Sequence, residues 1–206
     1  MNQMDVCIRA LYMLRKDKDF IAIVPFGSMV YGTNNIKSDH DYIIIMKDLF
    51  SWNGEEVALS EKFNLHFYSE SLFKNKLNMQ DIAILECLWS SNHPYIENIK
   101  NTYQLHKAWL RESVSAKSSN SWVKAKKKIE KEQDFYVGKK SLWHSLRILM
   151  FGIQIAKYGK IINYGEANYL YDDIVNNPIN NWKYFNGTYK KLYNSLSTEF
   201  RKVAPK

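Results

Sequence analysis

Apolar positions in this chain change period near residue 90, and that change sets out the fold. Ile21–Phe26 is a short continuous apolar run, and Tyr42–Met46 is a β-branched one. Both read as buried strands. Phe63–Tyr68 alternates strictly, with Phe63, Leu65 and Phe67 to one face and Asn64, His66 and Tyr68 to the other, the pattern of a half-exposed strand. Residues 2–16, 70–77 and 80–89 carry helical spacing, and 28–32 a single helical turn. Polar residues 51–60, with Asn53-Gly54, read as a turn. Beyond Asn92-His93-Pro94 the period is helical throughout, and candidate helices are 99–115, 120–136, 139–158, 165–176 and 186–202. Ser118-Ser119-Asn120 and Gly138 read as helix boundaries, and Asn177-Pro178 and Asn186-Gly187 as turns. Strands first and helices after predict an α/β domain, residues 1–98, followed by a helical domain, residues 99–206.

The chemistry lies between the first two strands. Gly27-Ser28 follows the first apolar run, and Asp39 and Asp41 open the second. Alternate residues of a strand share a face, so the two carboxylates would stand side by side. Like charges that close are costly unless a cation lies between them. Hard carboxylate oxygens suit Mg²⁺, which one or two carboxylates commonly hold together with substrate phosphates. The Gly-Ser turn offers backbone N–H groups and a hydroxyl to phosphate oxygens. A phosphate cradle beside paired aspartates points to metal-assisted phosphoryl or nucleotidyl transfer.

Gly27-Ser28, Tyr31-Gly32-Thr33 and Ser38-Asp39-x-Asp41, in that order and between two strands, resemble the DNA polymerase β-like nucleotidyltransferase superfamily. They are most similar to small nucleotidyltransferases predicted in bacteria and large phages, some of them grouped with RNA-repair genes. The resemblance implies an α/β nucleotidyltransferase core, a small mixed sheet with flanking helices, followed by an all-α domain. It implies two Mg²⁺ ions, a nucleoside triphosphate held by Gly27, Ser28 and Tyr31, and transfer of its NMP with release of pyrophosphate. Relatives usually place a third carboxylate on the strand after Asp-x-Asp. The alternation puts Asn64 there, able to offer an oxygen to a metal but not to act as a base. His66, two residues along the same face, can take a proton or bind a metal, and Glu61 is the nearest upstream carboxylate. The third group is thus His66 or Glu61, or the site has two carboxylates, or the fold is catalytically weakened. Glu86, in a Leu-Glu element, resembles a feature of the phage-type relatives and reads equally as structural support.

Charge adds a partner. The net charge is +8, and residues 111–160 hold 12 Lys+Arg against 4 Asp+Glu, an excess equal to that of the whole chain. A localised basic stretch is the footprint of a polyanion, so the acceptor is read as an RNA or tRNA end. Within it, Lys140, His144, Arg147, Phe151 and Gln154 share one helix face beside an apolar stripe. The first three resemble a Lys…His-x-x-Arg helix of the same relatives and are assigned to phosphate contact. Lys124, Lys128 and Lys131 form a second basic stripe, flanked by Trp122 and Tyr136. Other functions stay open: an RNA- or nucleotide-binding module without turnover, or an antitoxin or counter-defence protein with a protein target. Two cysteines, Cys7 and Cys87, make neither a disulfide framework nor a zinc site. The N-terminus lacks a signal-peptide pattern and no segment has the apolar length of a membrane span. The expected setting is therefore the cytoplasm.

Overall fold

The computed structural model describes residues 20–36, 38–48, 63–206 and the backbone of 53–60. The helix read at 2–16, Cys7 and Glu61 lie outside the described residues. The chain divides into two compact units: residues up to 104 except 79–82, and residues 105–206 with 79–82. In the first unit four strands among the described residues form one mixed sheet in the order β1-β2-β4-β3. They are β1 (Phe20–Phe26), β2 (His40–Met46), β3 (Asn53–Ser60) and β4 (Phe63–Ser69). β1 runs antiparallel to β2, β2 parallel to β4, and β3 antiparallel to β4. Helices α1 (Ser28–Tyr31), α2 (Glu70–Asn78), α3 (Ile82–Ser90) and α4 (Pro94–Thr102) complete this region of the chain.

One face of the sheet is apolar: Ile23, Tyr42, Ile44, Met46, Leu65 and Phe67 form a single cluster. The alternation read from 63–68 therefore sends its apolar residues inward, as expected. Residues 51–60 depart from expectation. In place of a polar turn, Asn53–Ser60 is a strand at the edge of the described sheet, paired antiparallel with β4 so that Val57 lies opposite Leu65. An edge strand tolerates charges because one of its sides meets no further strand, so its polar composition hid it.

The second unit holds α5 (Lys107–Glu130), α6 (Phe135–Tyr158), a 3₁₀ turn (Asn168–Leu170), α7 (Tyr171–Val175) and α8 (Trp182–Val203). The break expected at Ser118-Ser119-Asn120 is absent. These residues lie inside α5, where the buried Ser118 hydroxyl donates to the Ser145 carbonyl of α6 at 2.8 Å. The serine here joins two helices; it does not end one. Gly138 likewise lies inside α6, which starts at the Asp134 cap accepting from the Val137 amide. A Cβ on Gly138 would stand 2.5 Å from Ile129 Cγ1, so the glycine is there for close helix packing. α4 begins at Pro94 with His93 Nδ1 accepting from the Tyr95 amide, the usual place for proline at a helix start. α6 is the centre of this unit: residues on every side of it, including Leu142, Trp143, Leu146, Phe151 and Ile155, are buried. No helix among the described residues is long and apolar enough to cross a membrane.

Candidate active site

The β1–α1 turn and the start of β2 meet because β1 and β2 are antiparallel neighbours, with Phe26 opposite Asp41. Gly27 has φ +73° and ψ −146°, a conformation that glycine adopts at little cost. It is also pressed against Asp41: a Cβ on it would stand 2.5 Å from Oδ2. Any other residue would displace that carboxylate. Ser28 starts α1, half-exposed, and its hydroxyl has no partner among the described residues.

Parallel pairing of β2 with β4 sets Asp41 beside Asn64 and Ile43 beside His66, on the face opposite the apolar cluster. Asn64 Nδ2 donates to Asp41 Oδ1 at 3.2 Å. His66 Nε2 stands 3.8 Å from the same oxygen, with Phe26 edge-on to its ring. Both side chains are about three-quarters buried, His66 at 23% and Asp41 at 25% exposure. Gly27, Asp41, Asn64 and His66 are thereby one group of neighbours. Asp39 lies just before β2 and is exposed. The amide of Asn64 now gives Asp41 the positive partial charge that a cation would otherwise supply.

Tyr31, expected beside the nucleotide, points into the interior. Only 3% of it is exposed and its hydroxyl donates to Glu86, itself 2% exposed on α3. That pair ties α1 to α3 and gives the buried Glu86 a partner. Glu86 is thus a support, one of the two roles its sequence context allowed.

In the second unit, Arg147 is 4% exposed. Its Nε and Nη2 lie 3.2 and 3.1 Å from His144 Nδ1, and its guanidinium covers the rings of Phe151 and Trp143 at 4.9 and 5.5 Å. An Nδ1 that accepts from arginine leaves the proton on Nε2. Burial, then Arg147, Lys140 and Lys124, hold His144 well below the ordinary histidine value, so this imidazole is neutral. Arg147 therefore orients His144 from behind. Lys140 is half-exposed, with its ammonium 5.9 Å from the Tyr136 ring. Gln154, on the same helix face, holds the loop after α6: its Oε1 accepts from the amides of Ile162 (2.7 Å) and Asn163 (2.9 Å), and its Nε2 donates to Asn163 O and Glu166.

Sequence reasoning passed over Lys139. It is 6% exposed, donates to the Asn177 carbonyl at 2.5 Å, lies over the Phe185 ring, and is shifted down by burial. Its neighbour Lys140 drew the attention because only Lys140 fits the polar stripe.

Among the described residues no group of three or more His, Cys, Asp or Glu side chains gathers in a way that could hold a metal. The donors gathered at the turn are Asp41, the Asn64 amide and the His66 imidazole, while Asp39 lies two residues before Asp41 and is exposed. Hard carboxylate oxygens of this kind suit Mg²⁺ that keeps several of its waters.

No protein-family profile matches this chain, and no curated protein matches its sequence. Among solved structures, it is similar to a nucleotidyltransferase-like protein from Exiguobacterium sibiricum 255-15 at 12% identity and a TM-score of 0.36. The match covers 98% of this chain and 74% of that one. A likeness that distant says nothing about chemistry, which rests on the residues above.

Proposed function

We propose that this protein is a metal-dependent nucleotidyltransferase, moving an NMP from an NTP to an acceptor hydroxyl, with an RNA end as the acceptor. The observation that carries it is the contact of Gly27 with Asp41, because it sets a half-exposed Ser28 hydroxyl at the same turn that borders the carboxylate. Asp39 and Asp41 would hold Mg²⁺, whose charge would offset that of the phosphates and of the departing pyrophosphate. Ser28 and the amides of its turn would bind phosphate oxygens. His66 is the group able to take the proton of the attacking hydroxyl, since Asn64 cannot. Within the second unit, Lys140 and His144 are candidates for phosphate contact, with Arg147 as a positioning residue for His144.

The test is NTP-dependent pyrophosphate release in Mg²⁺, with labelled NTPs and bulk cellular RNA. Asp41→Asn should lower turnover by about 10²-fold or more, the usual scale for one transition-state electrostatic contact. Gly27→Ala should do the same while leaving every carboxylate of the site in the sequence, by displacing that of Asp41. Wild-type turnover in both variants, each folded by circular dichroism, would sink the reading. One observation favours a second reading, a nucleotide- or RNA-binding module: Asp41 is already served by the amide of Asn64. NTP binding without any release of pyrophosphate would select it.

A further inference from the structure

A groove runs between α5 and α8 in the second unit, and none of the readings above uses it. It exists because small residues face each other there: Ser115, Ala116 and Ser119 on α5, Ser197 and Thr198 on α8. Two cavities lie along it, of about 690 and 480 Å³, with Ser115 and Arg201 in the walls of both. Along α5 it extends from Ala108 to Ser119, about 16 Å at 1.5 Å per residue. That exceeds a single nucleotide.

The lining is chemically uneven. Trp109 is 46% exposed at one end. Arg111 and Arg201 line the same cavity, and neither has a hydrogen-bond or ion-pair partner among the described residues. Toward the far end of α5, by contrast, Lys126, Lys127 and Lys128 are all paired with carboxylates. Lys206 adds a third cation, and Glu112 is the one carboxylate in the wall. Arginine forks match phosphate oxygens two at a time. An exposed indole is a platform for a base of any sequence.

We propose that this groove binds single-stranded nucleic acid, with a base stacked on Trp109 and flanking phosphates held by Arg111 and Arg201. This deepens the reading of an RNA acceptor and rests on it for its purpose. Its test is separate, because strand binding needs neither NTP nor Mg²⁺.

The full chain is titrated into a fluorescein-labelled single-stranded oligoribonucleotide without NTP, and anisotropy is read across a salt series. Trp109→Ala should weaken binding about tenfold or more, from the known worth of base stacking, and Trp109→Phe should restore most of it. Arg111→Ala with Arg201→Ala should flatten the slope of log K against log salt by about 1.4, at about 0.7 per phosphate on a single strand. Asp41→Asn should leave the affinity unchanged, so a failure of the transfer reading is seen apart from a failure here. Unchanged affinity and slope in the folded groove variants overturn the proposal. So does displacement of the strand by AMP or by polyglutamate as readily as by unlabelled RNA, since the groove would then serve a free nucleotide or an acidic peptide.

Discussion

Asp41 and His144 show how little of a residue's role is carried by its type. Both are governed by their neighbours in the fold. Asp41 has Gly27 against one oxygen and the Asn64 amide on the other, 3.2 Å away. His144 has the Arg147 guanidinium on Nδ1 and is held neutral by burial and by three cations. The second case has a pH consequence. In the unfolded chain this histidine takes a proton near its ordinary value of 6.5, while in the folded protein it does so only well below that. The unfolded state then binds more protons as the pH falls below 6.5, so stability drops from there downward until the native value is reached. Urea midpoints measured from pH 7.5 to 5 should fall, and His144→Gln should remove part of that slope. An identical slope in the variant would mean that the imidazole is not shielded.

At the scale of elements, two glycines that look alike in sequence have opposite meanings. Gly138 and Gly187 both read as chain breaks, yet both lie within helices, in α6 and α8. A Cβ on Gly138 would meet Ile129 and Lys128 of α5 at 2.5 and 3.2 Å, whereas one on Gly187 would meet nothing within 4 Å. Gly187→Ala should therefore stabilise the protein by about 0.5–1 kcal/mol, by removing backbone freedom from the unfolded chain. Gly138→Ala should cost about 1–3 kcal/mol, because the two helices must part. Denaturant titration of both variants reads the difference directly, and equal signs would contradict the packing described. The α5–α6 corner beside Gly138 is further held by Lys128, which pairs with both Glu132 (2.7 Å) and Asp134 (3.2 Å). Glu132, between Lys127 and Lys128, is lowered to about 2 by those hydrogen bonds.

The charge of the whole molecule is distributed otherwise than the sequence implies. The excess in 111–160 is real, but much of it is engaged within the fold. Lys126, Lys127 and Lys128 pair with Glu130, Glu132 and Asp134, Lys157 with Glu199, while Lys139 and Arg147 are buried. Arg111, Lys117, Lys124, Lys131, Lys140 and Lys160 have no hydrogen-bond or ion-pair partner among the described residues and are the charges of this segment available to a polyanion. Charge reversal therefore separates two neighbours that sequence treats alike. Lys124→Glu should weaken RNA binding and flatten its salt slope by about 0.7 or more, with an unchanged melting temperature. Lys128→Glu should lower the melting temperature, since it sets three carboxylates together at the α5–α6 corner, and should change the salt slope less. The reverse pattern would show that the corner pairs are dispensable and that Lys128 faces the ligand.

Sequence determined what depends on local spacing. The apolar runs Ile21–Phe26 and Tyr42–Met46 mark strands that the fold extends to Phe20–Phe26 and His40–Met46, and the inward set Phe63, Leu65 and Phe67 and the helical second half follow from periodicity, which a backbone of fixed pitch cannot avoid. The pairing of Gly27-Ser28 with Asp41 was legible for the same reason, as two strand ends joined by a short connection. Tertiary structure decided whatever depends on a partner distant in the chain. The β2–β4 pairing put Asn64 beside Asp41, Glu86 turned Tyr31 inward, and α6 turned Ser118 from a break into a link. An edge strand at Asn53–Ser60 and a groove walled by Trp109 and Arg201 belong to that second class. A polar or small residue satisfies its hydrogen bonds and its space only against a particular neighbour, and periodicity does not say which neighbour that will be.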